Sequence, residues 1–115
     1  MGLDFSHTDA RWSYSGFHEF RRRLARELGI DLDKMDGFVD RNGLSWDKII
    51  DPIKPFLNHS DCDGELSVRE CRMVALRLRV LIADWPDNDY DKRNALLLAE
   101  GMELAAASNE PLVFE

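Results

Sequence analysis

The sequence predicts a mainly α-helical domain, a small bundle of about four helices with a minor β-ribbon made by the two chain ends. The chain has 115 residues, the usual length of a single domain, so residues 1–115 are expected to form one globular unit. Hydrophobic residues make up 44% of the chain and charged residues 32%, a balance typical of folded globular proteins. Apolar residues also recur at three- and four-residue steps in several long segments, which is the spacing of amphipathic helices.

The first predicted helix follows a short strand at Leu3–Phe5 and an aromatic-rich loop. Ser15 can cap the start of this helix, and Gly29 can end it in a left-handed conformation. Its apolar side comprises Phe17, Phe20, Leu24 and Leu28.

Short helical pieces are predicted between the first helix and the centre of the chain. Asp31 can cap a single turn that Gly37 ends, and Ser45 can cap a helix that runs through Ile50. The prolines at positions 52 and 55 fit only in the first turn of a new short helix that begins near Asp51.

Residues 67–84 are the most apolar segment and predict the central helix. Its apolar side comprises Val68, Cys71, Val74, Ala75, Leu78, Leu81 and Ile82, with Leu76 and Val80 extending it. A last helix is expected from Asp87 or Asp89 to about residue 107. The tail Leu112–Phe114 is β-prone and is predicted to pair with Leu3–Phe5.

The segment from His59 to Glu70 resembles an EF-hand calcium loop. Such a loop of twelve residues needs carboxylates at positions 1, 3, 5 and 12, glycine at 6 and a backbone carbonyl at 7. The predicted calcium ligands are the side chains of Asp61 and Asp63, the carbonyl of Glu65, the side chain of Ser67 and that of Glu70, around a turn at Gly64.

This loop departs from the EF-hand pattern in two ways. Position 1 is His59, and no second loop of matching spacing is present for it to pair with. We therefore expect weak calcium binding, with a Kd on the order of 10⁻⁴–10⁻³ M. The alternative is a turn without metal that starts the central helix, because Ser67 and Glu70 have the spacing of a capping box.

Other site chemistry has less support. His59 and Cys62 have zinc-ligand spacing, but Cys71 lies on the apolar side of the central helix, where a cysteine is normally a small buried apolar group. His7 and Asp9 could form an acid–base pair, yet no nucleophile elbow, phosphate-binding loop or zinc-protease motif is present. An enzyme is therefore not the expected class.

The net charge of −7 disfavours nucleic acid and anionic membranes and favours a protein partner with a basic surface. The start of the chain lacks the pattern of a signal peptide, and no apolar run reaches about 18 residues, so a cytoplasmic protein is expected. Two function classes follow: a non-enzymatic domain that binds calcium weakly, or a metal-independent domain that binds a basic protein, as an inhibitor or immunity protein does.

Two stretches carry a resemblance to a known family. These are Trp12-Ser13-Tyr14-x-Gly16-Phe17-x-x-Phe20-Arg21 and His59-Ser60-Asp61-Cys62-Asp63-Gly64. Together they resemble a family of small actinobacterial and phage-associated proteins. The resemblance implies a single domain and supplies no activity, cofactor or binding residue.

Overall fold

The computed structural model describes residues 2–35, 38, 43–59 and 64–115. The helices in these ranges are α1 (Tyr14–Glu27), α2 (Lys54–Leu57), α3 (Val68–Leu81) and α4 (Tyr90–Ala107). The strands are β1 (Gly2–Asp4), β2 (Arg11–Ser13), β3 (Glu65–Leu66) and β4 (Leu112–Val113). The prediction of a mainly helical fold with minor β-structure is confirmed.

Helix α1 begins two residues earlier than predicted. Strand β2 leads directly into it, so the last extended residue is Ser13, whose Oγ accepts a hydrogen bond from the N–H of Gly16 at 3.0 Å. The predicted end is confirmed, because Gly29 has φ +73°. The N–H of Ile30 reaches the carbonyl of Ala25 at 2.9 Å, which closes the helix in a Schellman motif.

The segment between α1 and α2 contains less helix than predicted. Ser45 does act as a cap, but it starts only a single 3₁₀ turn, Trp46–Lys48. Ile49 is extended and ends this turn, so the predicted helix through Ile50 is wrong. A second 3₁₀ turn, Leu32–Lys34, is capped by Asp31 as predicted. The predicted end of that turn at Gly37 lies outside the described residues.

Helix α2 holds a proline in its first turn, as predicted, although it begins at Lys54 rather than near Asp51. The carboxylate of Asp51 instead accepts a hydrogen bond from the N–H of Ile53 at 3.0 Å and orders the approach to the helix. Pro52 lies outside the helix, between these two residues.

Helices α3 and α4 pack against each other along their lengths and form the largest helix pair. Asp89 caps α4, because its Oδ1 accepts a hydrogen bond from the N–H of Lys92 at 3.1 Å. The same carboxylate binds Arg23 of α1 at 2.9 and 3.0 Å, and the Arg23 guanidinium lies 3.7 Å from the ring centroid of Trp85. Asp89 therefore also ties α1 to the start of α4.

The strands pair differently from the prediction. Strand β1 pairs with β2, with Leu3 opposite Trp12, and β3 pairs with β4, with Leu66 opposite Leu112. The predicted ribbon between the chain ends is reduced to one antiparallel bridge between Phe5 and Phe114. Strand β1 pairs with β2 and strand β4 pairs with β3, so the predicted longer ribbon between the chain ends does not form.

The core lies between the helices and the paired strands. At its centre the ring of Trp12 stacks on Phe20 with ring centroids 4.6 Å apart, and Phe17 packs edge-on against Phe56. Trp12 and Phe17 are buried core residues, whereas Tyr14 between them is exposed. Among the described residues, no helix combines the length and apolar character needed to cross a membrane.

Candidate functional site

The second half of the predicted calcium loop has a defined local structure. Gly64 has φ +95°, a conformation that glycine adopts without strain, and its carbonyl accepts a hydrogen bond from the N–H of Phe114 at 2.8 Å. Strand β3 follows at once and pairs with β4. The C-terminal strand thus supplies the backbone pairing for the residues that follow Gly64.

Two of the predicted ligands bind each other. The Oγ of Ser67 accepts a hydrogen bond from the N–H of Glu70 at 3.2 Å, and the Oε1 of Glu70 accepts one from the N–H of Ser67 at 2.9 Å. The predicted capping box is therefore confirmed, and it starts α3. These contacts account for both side chains without a metal ion.

His59 lies across the loop. Its ring stacks on Phe114 with centroids 4.0 Å apart, and its Nε2 lies 3.0 Å from the carbonyl oxygen of Glu65. Because a carbonyl oxygen can only accept, Nε2 must carry the hydrogen in this contact. The imidazole of the first loop residue therefore donates to the carbonyl that was predicted as the backbone calcium ligand.

A buried positive charge lies next to the entrance of the loop. Arg21 is only 1% exposed and donates hydrogen bonds to the carbonyls of His59 and Leu57. Its guanidinium also lies 4.8 Å from the ring centroid of Phe17. The sequence pattern gave no indication of this buried guanidinium.

Several of the predicted metal ligands lie outside the described residues. Asp61, Asp63 and the cysteine at position 62 belong to this group. Within the part of the chain that is described, no three His, Cys, Asp or Glu side chains are grouped closely enough to hold an ion. Cys71 is buried, its Sγ lies 3.6 Å from the carbonyl oxygen of Leu66, and burial raises the pKa of its thiol. Cys71 is thus an apolar core residue, as expected.

His7 does not pair with Asp9 but contacts Glu110 through Nε2 at 3.1 Å and Ser6 through Nδ1 at 2.8 Å. It has φ +66° and lies in the turn between β1 and β2, at the surface of α4. These contacts join the turn to the residues that follow α4.

An exposed apolar surface lies on α3. Leu76 is 69% exposed and Val80 is 63% exposed, whereas the sequence predicted that both would extend the buried side of the helix. That prediction is wrong, because α3 turns by about 100° per residue and places Leu76 opposite Val74 and Leu78. A helical wheel drawn from the sequence would have shown this.

The exposed residues of α3 continue onto the segment before α2. Pro52 and Met73 border a shallow groove of about 310 Å³ that also touches Leu76 and Val80. A neighbouring depression shares Pro52 and Met73 and extends to Ile50, which is 97% exposed. We call this surface the α3 face, and it consists of Ile50, Pro52, Met73, Leu76 and Val80.

The edge of the α3 face is held by one ion pair. The guanidinium of Arg77 binds both carboxylate oxygens of Asp51 at 3.1 Å, and this pair is partly buried. Since Asp51 also binds the N–H of Ile53, the contact fixes the segment that carries Pro52 against α3. The segment that borders the α3 face is therefore ordered by this ion pair.

Comparison of the chain with protein-family models, curated proteins and solved structures finds no match.

Proposed function

We propose that this chain is a non-enzymatic protein-binding domain that holds its partner on the α3 face. The observation that carries the proposal is the contiguous exposure of Leu76, Val80 and Met73 beside Pro52. Single exposed apolar residues are common, but a contiguous apolar patch on a small domain is typical of an interaction surface. Each apolar Å² removed from water would contribute about 25 cal/mol.

A macromolecular partner suits this face better than a small ligand. Small-molecule sites are usually enclosed and contain a few convergent polar groups. The groove on α3 is shallow, and Arg77, the charged side chain among its described lining residues, is already bound to Asp51. A flat apolar surface of this kind can bury the apolar side chains of a protein, but it offers little to orient a small polar molecule.

Site-specific photo-crosslinking tests the proposal. A benzophenone amino acid is placed at Leu76, or as a control at Leu104, which is 54% exposed on α4. The proteins are irradiated in cells of the source organism. One adduct of defined mass is expected from position 76 and not from position 104, and Val80→Asp should remove it. Equal adducts from both positions, or none from position 76, would contradict the proposal.

Weak calcium binding by the loop from His59 to Glu70 is the second candidate. It is favoured by the left-handed turn at Gly64 and the capping box between Ser67 and Glu70, which match the second half of an EF-hand loop. Asp61, Asp63, Ser67 and Glu70 remain proposed side-chain ligands, with the carbonyl of Glu65. The hydrogen bond from His59 to the carbonyl of Glu65 acts against a bound ion, because it occupies the predicted backbone ligand.

Thermal unfolding in chelator and then in 10 mM calcium, magnesium or zinc tests this second candidate. A Kd of 10⁻⁴–10⁻³ M would give calcium a stabilisation of about 1.4–2.7 kcal/mol. Glu70→Gln should abolish that gain while keeping the capping box, since glutamine also caps, and Glu100→Gln on α4 is the control. If calcium does not raise the melting temperature of the unmodified protein, the loop is a turn without metal.

A further inference from the structure

We infer that the partner of the α3 face is an amphipathic α-helix of another protein, with carboxylates beside its apolar side chains. This inference rests on the proposed function and adds the chemistry of the partner. It is the opposite of what the net charge of −7 suggests, because that charge favours a basic partner.

The local charge of α3 is positive. The helix carries four arginines, at positions 69, 72, 77 and 79, and a single acid, Glu70. The carboxylate of Glu70 is bound in the capping box. The surface of α3 therefore differs in sign from the chain as a whole.

Two of these arginines are available to a partner. Arg77 is bound to Asp51, and Arg79 is bound to Glu103 at 2.7 Å. The ion pairs found among the described residues include neither Arg69 nor Arg72, both of which are exposed. These two guanidinium groups can bind carboxylates without breaking an existing ion pair.

Arg69 and Arg72 lie on the same side of α3 as the apolar residues. Arg69 is four residues before Met73, and Arg72 is four residues before Leu76, so each pair is adjacent on the helix surface. Lys54 adds a further positive charge at the rim of the neighbouring depression, and Asp47 a negative one. The two arginines extend the apolar stripe toward the N-terminal end of α3, where a partner would meet positive charge.

The shape of the groove suits a helix. From Arg69 to Val80 the stripe runs about 17 Å along α3, which is about three turns of a partner helix. The groove is bordered by α3 and by the irregular segment at Pro52, so no strand edge is offered for an added strand. An amphipathic helix that lies in an apolar groove is a recurrent mode of recognition.

Two other occupants fit the charges less well. A second copy of this chain would bring the same arginines and the same net charge of −7 to the interface. An anionic membrane would attract Arg69 and Arg72, but it would repel the rest of the chain, and the face has no aromatic side chain to anchor it at a bilayer surface.

Two synthetic peptides test the inference. Both peptides are capped and helical, and they have the same apolar residues at positions i, i+3, i+4 and i+7. They differ only in the residues that flank the apolar side, which are glutamates in one peptide and lysines in the other. Each is titrated into ¹⁵N-labelled protein, and amide shifts are followed by NMR. The acidic peptide is expected to shift residues of α3 and of segment 49–52, to bind at least tenfold more tightly than the basic one, and to weaken as salt is added.

A charge-reversal pair provides the matched control. Arg69→Glu with Arg72→Glu should reverse the preference between the peptides. Arg26→Glu with Arg93→Glu changes the net charge equally at exposed positions of α1 and α4 and should leave the preference intact. If both double variants lose the preference for the acidic peptide equally, only the overall charge matters, and the inference is overturned.

The remaining outcomes separate the inference from the proposed function. If both peptides bind the α3 face equally well, the inference fails and the proposed function stands. If neither peptide shifts α3 residues at 1 mM, both fail. A dimer in light scattering that Leu76→Ser dissolves, or sedimentation with anionic vesicles that Leu76→Ser prevents, would identify a second copy or a membrane as the occupant and overturn the inference.

Discussion

Leu76 and Leu78 of α3 allow the same substitution to be made on opposite sides of one helix. Leu78 is fully buried, and Leu76 is 69% exposed. Changing either residue to alanine removes the same atoms and alters helix propensity by the same amount, so the difference between the two variants measures burial alone. This comparison tests whether the α3 face is exposed in solution.

The expected magnitudes follow from the exposure of each side chain. Leucine differs from alanine by three carbon atoms, which are worth about 2.4 kcal/mol when they are fully buried. The cavity left at Leu78 adds to that loss, so Leu78→Ala should lower the free energy of unfolding by about 2–5 kcal/mol. Leu76 buries roughly a third of its side chain, so Leu76→Ala should lower the free energy of unfolding by about 0.7 kcal/mol. The slightly better helix propensity of alanine reduces this loss further.

Urea unfolding followed by circular dichroism at 222 nm measures both variants. For a domain of this size, each kcal/mol corresponds to about 3–6 °C in the melting temperature, so Leu78→Ala should melt at least several degrees below Leu76→Ala. A loss above about 1.5 kcal/mol for Leu76→Ala would refute the reasoning. If that loss grows with protein concentration, the face is buried between copies of the chain.

Substitutions at three further positions test other parts of the fold. Burial acts to raise the pKa of Asp89, but the N–H of Lys92 and the guanidinium of Arg23 outweigh it and hold the pKa below its ordinary value. The carboxylate therefore stabilises the fold above its unfolded pKa. Asp89→Ala should lower the free energy of unfolding by about 1–2 kcal/mol at pH 7. Asp89→Asn keeps the cap and should cost less, and its deficit should shrink as the pH falls through the depressed pKa. A deficit that does not change on acidification would contradict this. Gly29→Ala should lower the free energy of unfolding in urea by about 1 kcal/mol, because φ is +73° and no atom lies within 4 Å of the added Cβ, so only the backbone conformation opposes the change. Gly29→Asn should lower it less, because asparagine adopts this conformation more readily than alanine. Equal losses in the two variants would argue against a conformational cause. Gly101→Ala would place a Cβ 2.6 Å from the Cβ of Thr8 and should destabilise the protein by about 1–3 kcal/mol, although alanine is the better helix former. A gain in melting temperature would show that the turn at Thr8 is not packed on α4.

Local sequence patterns predicted the elements whose stabilising contacts are close in the chain. The capping box of Ser67 and Glu70 and the glycine that closes α1 at position 29 depend on residues a few positions apart, and the structure confirms them. The start of α1 was misplaced because β2 leads into the helix, and the extended conformation of Ser13 depends on a strand pair with β1.

The candidate site was predictable only in part. The turn at Gly64 and the cap at Ser67 were found from their spacing, but the contact between His59 and the carbonyl of Glu65 depends on Phe114 at the other end of the chain. The buried guanidinium of Arg21 was not predicted, because an arginine on an amphipathic helix normally faces water.

The sequence by itself determined that this protein is mainly helical, where its long helices run, and that its net charge is negative, since these properties follow from composition and short-range periodicity. The tertiary structure decided which strands pair, because β-pairing joins residues as distant as Leu66 and Leu112. It also decided that the segment at Pro52 lies beside the exposed residues Met73, Leu76 and Val80 of α3. The helical period indicates which side of α3 is exposed, but only the packing of the neighbouring segments determines which residues border that side.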